Sequence, residues 1–352
     1  MPTRLLNRNF FLLWQGQFVS LIGSQAFLLA MMYWTMEGTG SASLMGILMT
    51  LSMLPGVILG PVAGAVADRY SRKIIIVVAD ILSGLGVLTV SALFFLLPES
   101  TNILIVALFA VAVLNGVVQA FFRPAIMAAV PDLVPKDRIT AANSMNQFSF
   151  RFSQILGQGA GGVLYAILGA PILFLFDGLT FLFSAVSESF IQIPQKIANG
   201  SKEGSAPSQF KSDVIAGLQY VWRRKGMRNF LFMIGAVHFF AMPYIVLMPF
   251  YVEINLGRGA DWYGFLMAAF SGGSVLGYAI AGMIPLSGAS RSRVLLVLMS
   301  VTGLLFGVLG LLHQPLLAVL TIGAGGALLG MFSVHMTTIL QTTSGSELRG
   351  RV

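Results

Sequence analysis

Cysteine is absent from the chain, which excludes disulfides, thiol catalysis and thiolate metal sites. Charge is nearly as scarce: Asp, Glu, Lys and Arg make up 10% of the 352 residues, where soluble domains carry about 25%. A Gly-x-x-x-x-Gly-Lys-Ser/Thr phosphate loop is missing, as are a metal-ligand cluster and a spaced nucleophile–base pair. The chain therefore reads as neither an enzyme nor an ATP-driven machine, and no cofactor is expected. What fills the space is apolar, at 56% hydrophobic residues and a mean hydropathy of +0.85. About 20 such residues in a row cross a bilayer. The fold class that follows is an all-α polytopic membrane protein.

Ten apolar segments are read, with boundaries good to about three residues, near 10–36, 42–66, 74–97, 102–130, 140–168, 170–191, 228–252, 262–286, 293–312 and 315–340. The first begins after the basic start Met1-Pro2-Thr3-Arg4 and runs on without a small-residue cleavage site, so an uncleaved span is expected. With the N-terminus inside, Arg69, Arg72, Lys73, Lys136, Arg138, Arg291, Arg293 and the stretch 196–228 all fall in inner loops. Arg258 is the one basic residue of the outer loops, against Glu37, Glu99, Glu253 and Asp261. Positive charge marks the cytoplasmic side, so both termini are expected there, in a multi-pass cytoplasmic (inner) membrane protein. The net charge of +8 is absorbed by this topology, and nucleic acid is not expected as a partner.

The longest polar stretch divides the chain into a six-helix bundle over 1–192, a cytoplasmic linker over 193–227 and four helices over 228–352. Within the linker, Phe210, Val214, Leu218 and Val221 recur at helical spacing before Trp222-Arg223-Arg224-Lys225. That pattern describes a helix lying on anionic lipid, or else a solvated connector. The second set of spans echoes the first. Gly277 to Arg293 sits where Gly60 to Lys73 sits, and Thr342 to Arg351 follows the tenth span as Val130 to Arg138 follows the fourth. By that register the second half stops two helices short.

The most informative stretch is Gly60-Pro61-Val62-Ala63-Gly64-Ala65-Val66-Ala67-Asp68-Arg69-Tyr70-Ser71-Arg72-Lys73. It reads as a tight turn between spans 2 and 3, with glycines for close helix approach and charges at the water interface. Gly64-x-x-x-Asp68-Arg69-x-Ser71-Arg72-Lys73 resembles the loop signature of the major facilitator superfamily. Asn7-Arg8-Asn9-Phe10-Phe11-Leu12-Leu13-Trp14, Asp80, Pro131-Asp132-Leu133-Val134-Pro135, Ala142-Asn143 and the closing Glu347-Leu348-Arg349-Gly350-Arg351-Val352 are similar to its drug- and macrolide-efflux branch, which also holds siderophore exporters. The resemblance implies twelve spans, of which this chain holds ten, and implies that Asp68 locks an outward-facing state with the eleventh helix and neighbouring arginines. One departure stands in span 5. Many exporters carry Gly-Pro there followed by Gly-Gly, whereas this chain reads Gly157-Gln158-Gly159-Ala160-Gly161-Gly162.

Polar residues inside the spans mark candidate sites. Asn143, Gln147, Arg151, Gln154 and Gln158 share one helical face of span 5. Asn115, Gln119 and Arg123 do so in span 4, and Gln17, Ser20 and Ser24 lie in span 1. Such stripes face water, substrate or protein, so Gln17, Asn115, Gln119, Gln154 and Gln158 are expected to line a central cavity. Helix-to-helix bonding is the alternative. Asp80, Asp177, Glu188 and Arg151 are the membrane-embedded charges and the candidates for proton coupling or buried pairing. Asp177, several residues into span 6 among weakly polar neighbours, is favoured for the proton. Asp80 is expected to pair with the basic inner loop, and Glu188 to reach the inner interface.

The leading reading is a secondary active, proton-coupled exporter of small amphipathic compounds, working by alternating access as a monomer in contact with membrane lipid. Uptake of a metabolite or sugar is the alternative within the same class. A truncated, non-transporting membrane protein is the alternative outside it.

Overall fold

The computed structural model describes residues 5–135, 138–194, 222, 225–283 and 288–343. They form helices α1 (Arg8–Thr39), α2 (Ala42–Arg69), α3 (Arg72–Leu96), α4 (Thr101–Leu133), α5 (Ile139–Ser189), α6 (Lys225–Phe250), α7 (Ala260–Met283), α8 (Gly288–Leu309) and α9 (Pro315–Thr343). A π-helical turn, Tyr251–Asn255, continues α6. No strand occurs among the described residues. The amphipathic pattern at 210–221 and the tail 344–352 lie outside the described residues.

Each turn has a local cause. Asn7 caps α1 by accepting the Phe10 N–H at 3.1 Å, and Gly40 closes the helix at φ 61°. Ser41 caps α2 at Leu44, and only Tyr70 and Ser71 separate α2 from α3. Spans 2 and 3 thus meet in the short turn that their charges announce.

Helix α5 holds two of the sequence-derived spans. Its described apolar stretch of 45 residues would measure about 68 Å if straight, twice the hydrocarbon core. It breaks at Gly169, where φ 74° and ψ 175° are non-helical. The arms on either side run in opposite directions along α1. On the first arm, Ser149, Gln158 and Tyr165 bond Trp14, Gln25 and Glu37 in ascending order. On the second, Ser187 meets Gln15, and Asp177 meets Ser24, in descending order. Gly169 therefore reverses the chain and joins two crossings.

The chain divides into two compact units, Met1–Gly200 with Gly257–Ala268, and Ser201–Leu256 with Ala269–Val352. In the first, α1 lies between the arms of α5, and α3 packs along the second arm. A core of Phe10, Leu13, Ile76, Phe122, Ala125 and Leu133 closes one end of this bundle. In the second unit, glycines let backbones touch. A Cβ on Gly277 would stand 3.0 Å from Ala327 Cα, and one on Gly330 would stand 3.1 Å from Ser274 Cα. Small residues at such spacing supply the close van der Waals contact that holds helices together where no hydrophobic force acts between them.

One expectation is corrected. Among the described residues a Cβ on Gly60 or Gly64 would meet nothing within 4 Å, so there neither glycine mediates a close approach. The tight contact of α2 lies higher up, at Gly116 of α4, whose added Cβ would be 2.6 Å from Ser52 O and 2.9 Å from Pro55 Cγ.

Candidate functional site

Polar side chains of α1, α4 and the first arm of α5 surround a cavity of about 370 Å³ within the first unit. Its wall mixes Trp14, Leu21, Phe122, Ile126 and Phe150 with Gln17, Gln119, Arg123, Asn146 and Gln147. The Trp14 indole N–H donates to Ser149 Oγ at 2.7 Å and stacks on Phe18 at 5.6 Å, which fixes the aromatic face. Of the residues expected on this wall, Gln17 and Gln119 are there. Asn115, Gln154 and Gln158 are not. Gln158 donates to Gln25 Oε1 at 2.7 Å, joining helix to helix. Gln154 accepts from Arg151 Nη1 at 3.0 Å, and Arg151 also lies 5.5 Å from the Phe150 ring. Asn115 is half-buried and its Oδ1 lacks a partner. The side chain of Asn143 lies outside the described part.

Behind Gln17 lie the acids. Asp80, Asp177 and Glu188 are 2%, 1% and 1% exposed, so none reaches an interface. Gly16 and Gly23 draw α1 tightly onto the second arm here. A Cβ on Gly16 would stand 2.9 Å from Ser184 Oγ, and one on Gly23 would stand 3.0 Å from Asp177 Cα. Gly84 and Gly178 do the same between α3 and that arm. In this seam Gln17 Nε2 donates to Glu188 Oε1 at 2.6 Å, and Ser24 Oγ donates to Asp177 Oδ1 at 3.2 Å. Asp80 faces Ser184 and Glu188 across the seam. The expected pairing of Asp80 with the basic loop is thus replaced by an acid–acid contact, and Glu188 turns into the bundle rather than to the interface. Ser184 was missed from sequence. It lies seven residues after Asp177 and four before Glu188, on one helical face, and that spacing was the available signal.

At the turn between α2 and α3, Arg72 Nη1 donates to Asp132 Oδ2 at 2.5 Å and to Ala128 O at 3.0 Å. The guanidinium meets the last turn of α4, where free carbonyls favour a cation. Lys73, with Arg8 and Asn9, borders an open cleft beside Pro131–Pro135. Asn7 Nδ2 donates to Leu133 O at 2.7 Å, and Asn9 exchanges bonds with the Gln192 backbone at 3.1 and 3.3 Å. The opening Asn-Arg-Asn pattern therefore ties α1 to the ends of α4 and α5. The side chains of Asp68 and Arg69 lie outside the described part.

At the opposite end of the bundle, Tyr33 packs on Tyr165 and Tyr263 at 5.6 and 5.5 Å, and Tyr165 donates to Glu37 Oε2 at 2.5 Å. The span-5 glycines meet their partners beside this cluster. A Cβ on Gly157 would stand 2.6 Å from Gln25 Cβ, and one on Gly162 would stand 3.0 Å from Gly264 Cα. Close packing by these glycines, expected despite Gln158, is present.

Comparison with known proteins agrees with this architecture. The model of the family described as Major Facilitator Superfamily matches residues 13–352. The chain is 27% identical over 352 residues to Macrolide efflux protein A of Streptococcus pyogenes, covering 98% of this chain and 84% of that one. It is 25% identical over 342 residues to the Multidrug efflux pump Tap of Mycolicibacterium fortuitum, covering 94% and 80%. Among solved structures, a bacterial homologue of the human lysosomal transporter Spinster, inward-facing and unoccupied, superimposes with a TM-score of 0.71 at 14% identity, covering 99% of this chain and 78% of that one. A D-xylose–proton symporter does so at 0.63 and 13%, covering 96% and 84%. The last two likenesses concern the fold.

Proposed function

Because the chain belongs to the Major Facilitator Superfamily, we propose that it is a secondary active transporter that exports small amphipathic compounds from the cytoplasm in exchange for protons. It works by alternating access, in the cytoplasmic membrane, with both termini inside. The observation that carries this reading is the cavity wall. Each helix brings one aromatic ring and one amide to it, three residues apart: Trp14 and Gln17, Phe122 and Gln119, Phe150 and Gln147. Such a lining binds apolar bodies and orients a few polar groups. The efflux relatives from Streptococcus and Mycolicibacterium support the direction of transport. The basic inner loops support the orientation.

The reading is tested by ethidium accumulation in cells with and without the chain, before and after a protonophore. Lower accumulation that the protonophore restores is the expected result. Equal accumulation of ethidium, and of a panel of amphipathic antibiotics, rejects export. Absence of cysteine makes the orientation testable as well: an impermeant maleimide added outside should label Glu99→Cys and spare Ser71→Cys.

A further inference from the structure

Among the described residues no ion pair neutralises the buried acids, and one of their partners opens onto the cavity. We propose that Asp80 and Glu188 form a single binding site for one exchangeable proton, held in place by Gln17 at the cavity wall. This deepens the export reading by naming its coupling site, and places that site on a pair rather than on Asp177.

Four observations carry it. Asp80 and Glu188 face each other across the seam that Gly84 and Gly178 close and that Ser91 ties by donating to Pro171 O at 2.8 Å, and two carboxyl groups meeting there share a proton rather than both ionise. No N–H or O–H among the described residues reaches Asp80 Oδ2 or Glu188 Oε2. Ser83, one turn along the same buried face of α3 from Asp80, is 1% exposed and its Oγ is also without a partner. A buried hydroxyl can accept from an acid and donate to a carboxylate, so Ser83 would serve either proton occupancy of the pair. Finally, Gln17 both donates to Glu188 Oε1 at 2.6 Å and lines the cavity. A polar path from solvent to the pair therefore runs through one side chain.

The groups facing the pair decide the ligand. From the second arm of α5 comes Asp177, an acid close enough to act on Asp80 electrostatically, together with Ser184. From α1 come only neutral groups, Gln17 and Ser24. The cation of α4, Arg123, lies on the cavity wall and not in the seam. Two carboxylates cannot both stay charged this close in a site without a cation, so a shared proton is the natural occupant. Among the described residues no three acids or histidines converge to hold a metal ion.

Gln17 acts as a positioning residue. Its N–H donates to one oxygen of Glu188, and a cavity occupant that donates to the Gln17 carbonyl polarises the amide and strengthens that donation. The sign suits exchange: occupancy of the cavity promotes release of the proton.

The test is an infrared titration of the full chain in lipid nanodiscs, which reads protonated carboxyl groups without any cargo. A coupled pair gives up its protons in two steps. In an Asp177→Asn background, which silences the third buried acid, the unaltered pair is expected to show both, whereas Asp80→Asn and Glu188→Gln each leave one. Gln17→Leu should keep both and move the first to higher pH by roughly tenfold in proton affinity, the worth of one charge-assisted bond of about 1.5 kcal/mol. Glu99→Gln, an exposed loop acid, should change nothing. Identical curves for the unaltered pair, Asp80→Asn and Glu188→Gln overturn the site, and an unmoved curve for Gln17→Leu overturns the role of Gln17. If the two steps appear but ethidium is never exported, the export reading falls and the proton site stands.

Discussion

Gly162 and Gly264 stand so close that a Cβ on the first would lie 3.0 Å from the Cα of the second. The contact joins the first arm of α5 to the start of α7, beside the Tyr33, Tyr165 and Tyr263 cluster. Backbone faces backbone here, so no side chain can swing aside for an added group. Gly162→Leu should therefore open this end or strain it, at about 1–3 kcal/mol. Its export of ethidium should fall at least tenfold, with Gly162→Ala intermediate. Wild-type rates for Gly162→Leu would show that the contact is dispensable.

Gly169 is a different kind of glycine. A Cβ there would find only Pro171 Cδ at 3.6 Å, an ordinary contact. The obstacle is the backbone, whose φ 74° and ψ 175° belong to a region that side chains disfavour by about 1–3 kcal/mol. Gly169→Ala should lower thermal stability in detergent accordingly, whereas Gly303→Ala, with open space around it, should not. An unaffected Gly169→Ala would contradict the reversal described for α5.

Arg72 donates to Asp132 and to the carbonyls of Ala67 and Ala128, so losing the acid and losing the guanidinium should differ. Removing charge with Asp132→Asn should cost less than about 1 kcal/mol, since the pair is partly exposed. Arg72→Ala also strips the donor from Ala128 O, and an acceptor left unsatisfied adds about 1–3 kcal/mol. Unfolding temperatures of the two variants should rank in that order. Equal losses would mean that the carbonyl bond contributes nothing.

The two glutamines of α5 separate cargo from scaffold. Gln147 borders the cavity, so Gln147→Ala should change the concentration dependence of ethidium export while the melting temperature stays put. Gln158 is committed to Gln25, and Gln158→Leu should lose about 0.6 kcal/mol, the mean for such bonds between membrane helices, with export kinetics kept. The reverse pattern would return Gln158 to the cavity wall.

Helices were legible because a bilayer forbids anything but long apolar runs. The turn between spans 2 and 3 was visible in that way, although it is shorter than the 67–73 gap between the apolar runs, with only Tyr70 and Ser71 outside the helices. Periodicity was less complete. It places Gln147, Gln154 and Gln158 on one face of a helix, but which neighbour that face meets depends on how α1 and α4 pack, and the answer differs along the stripe. Asp80 and Glu188 are remote in sequence, so their pairing has no local signal at all. Small residues mislead in the same manner. Gly60 and Gly64 permit a close approach that nothing among the described residues makes, whereas Gly16 and Gly23 meet Ser184 and Asp177 directly.

The reversal at Gly169 is one residue long, and a joint so short has no slack. The arm that borders the cavity and the arm that carries Asp177 and Glu188 behave as a single lever, so a tilt of one is handed to the other without a loop to absorb it.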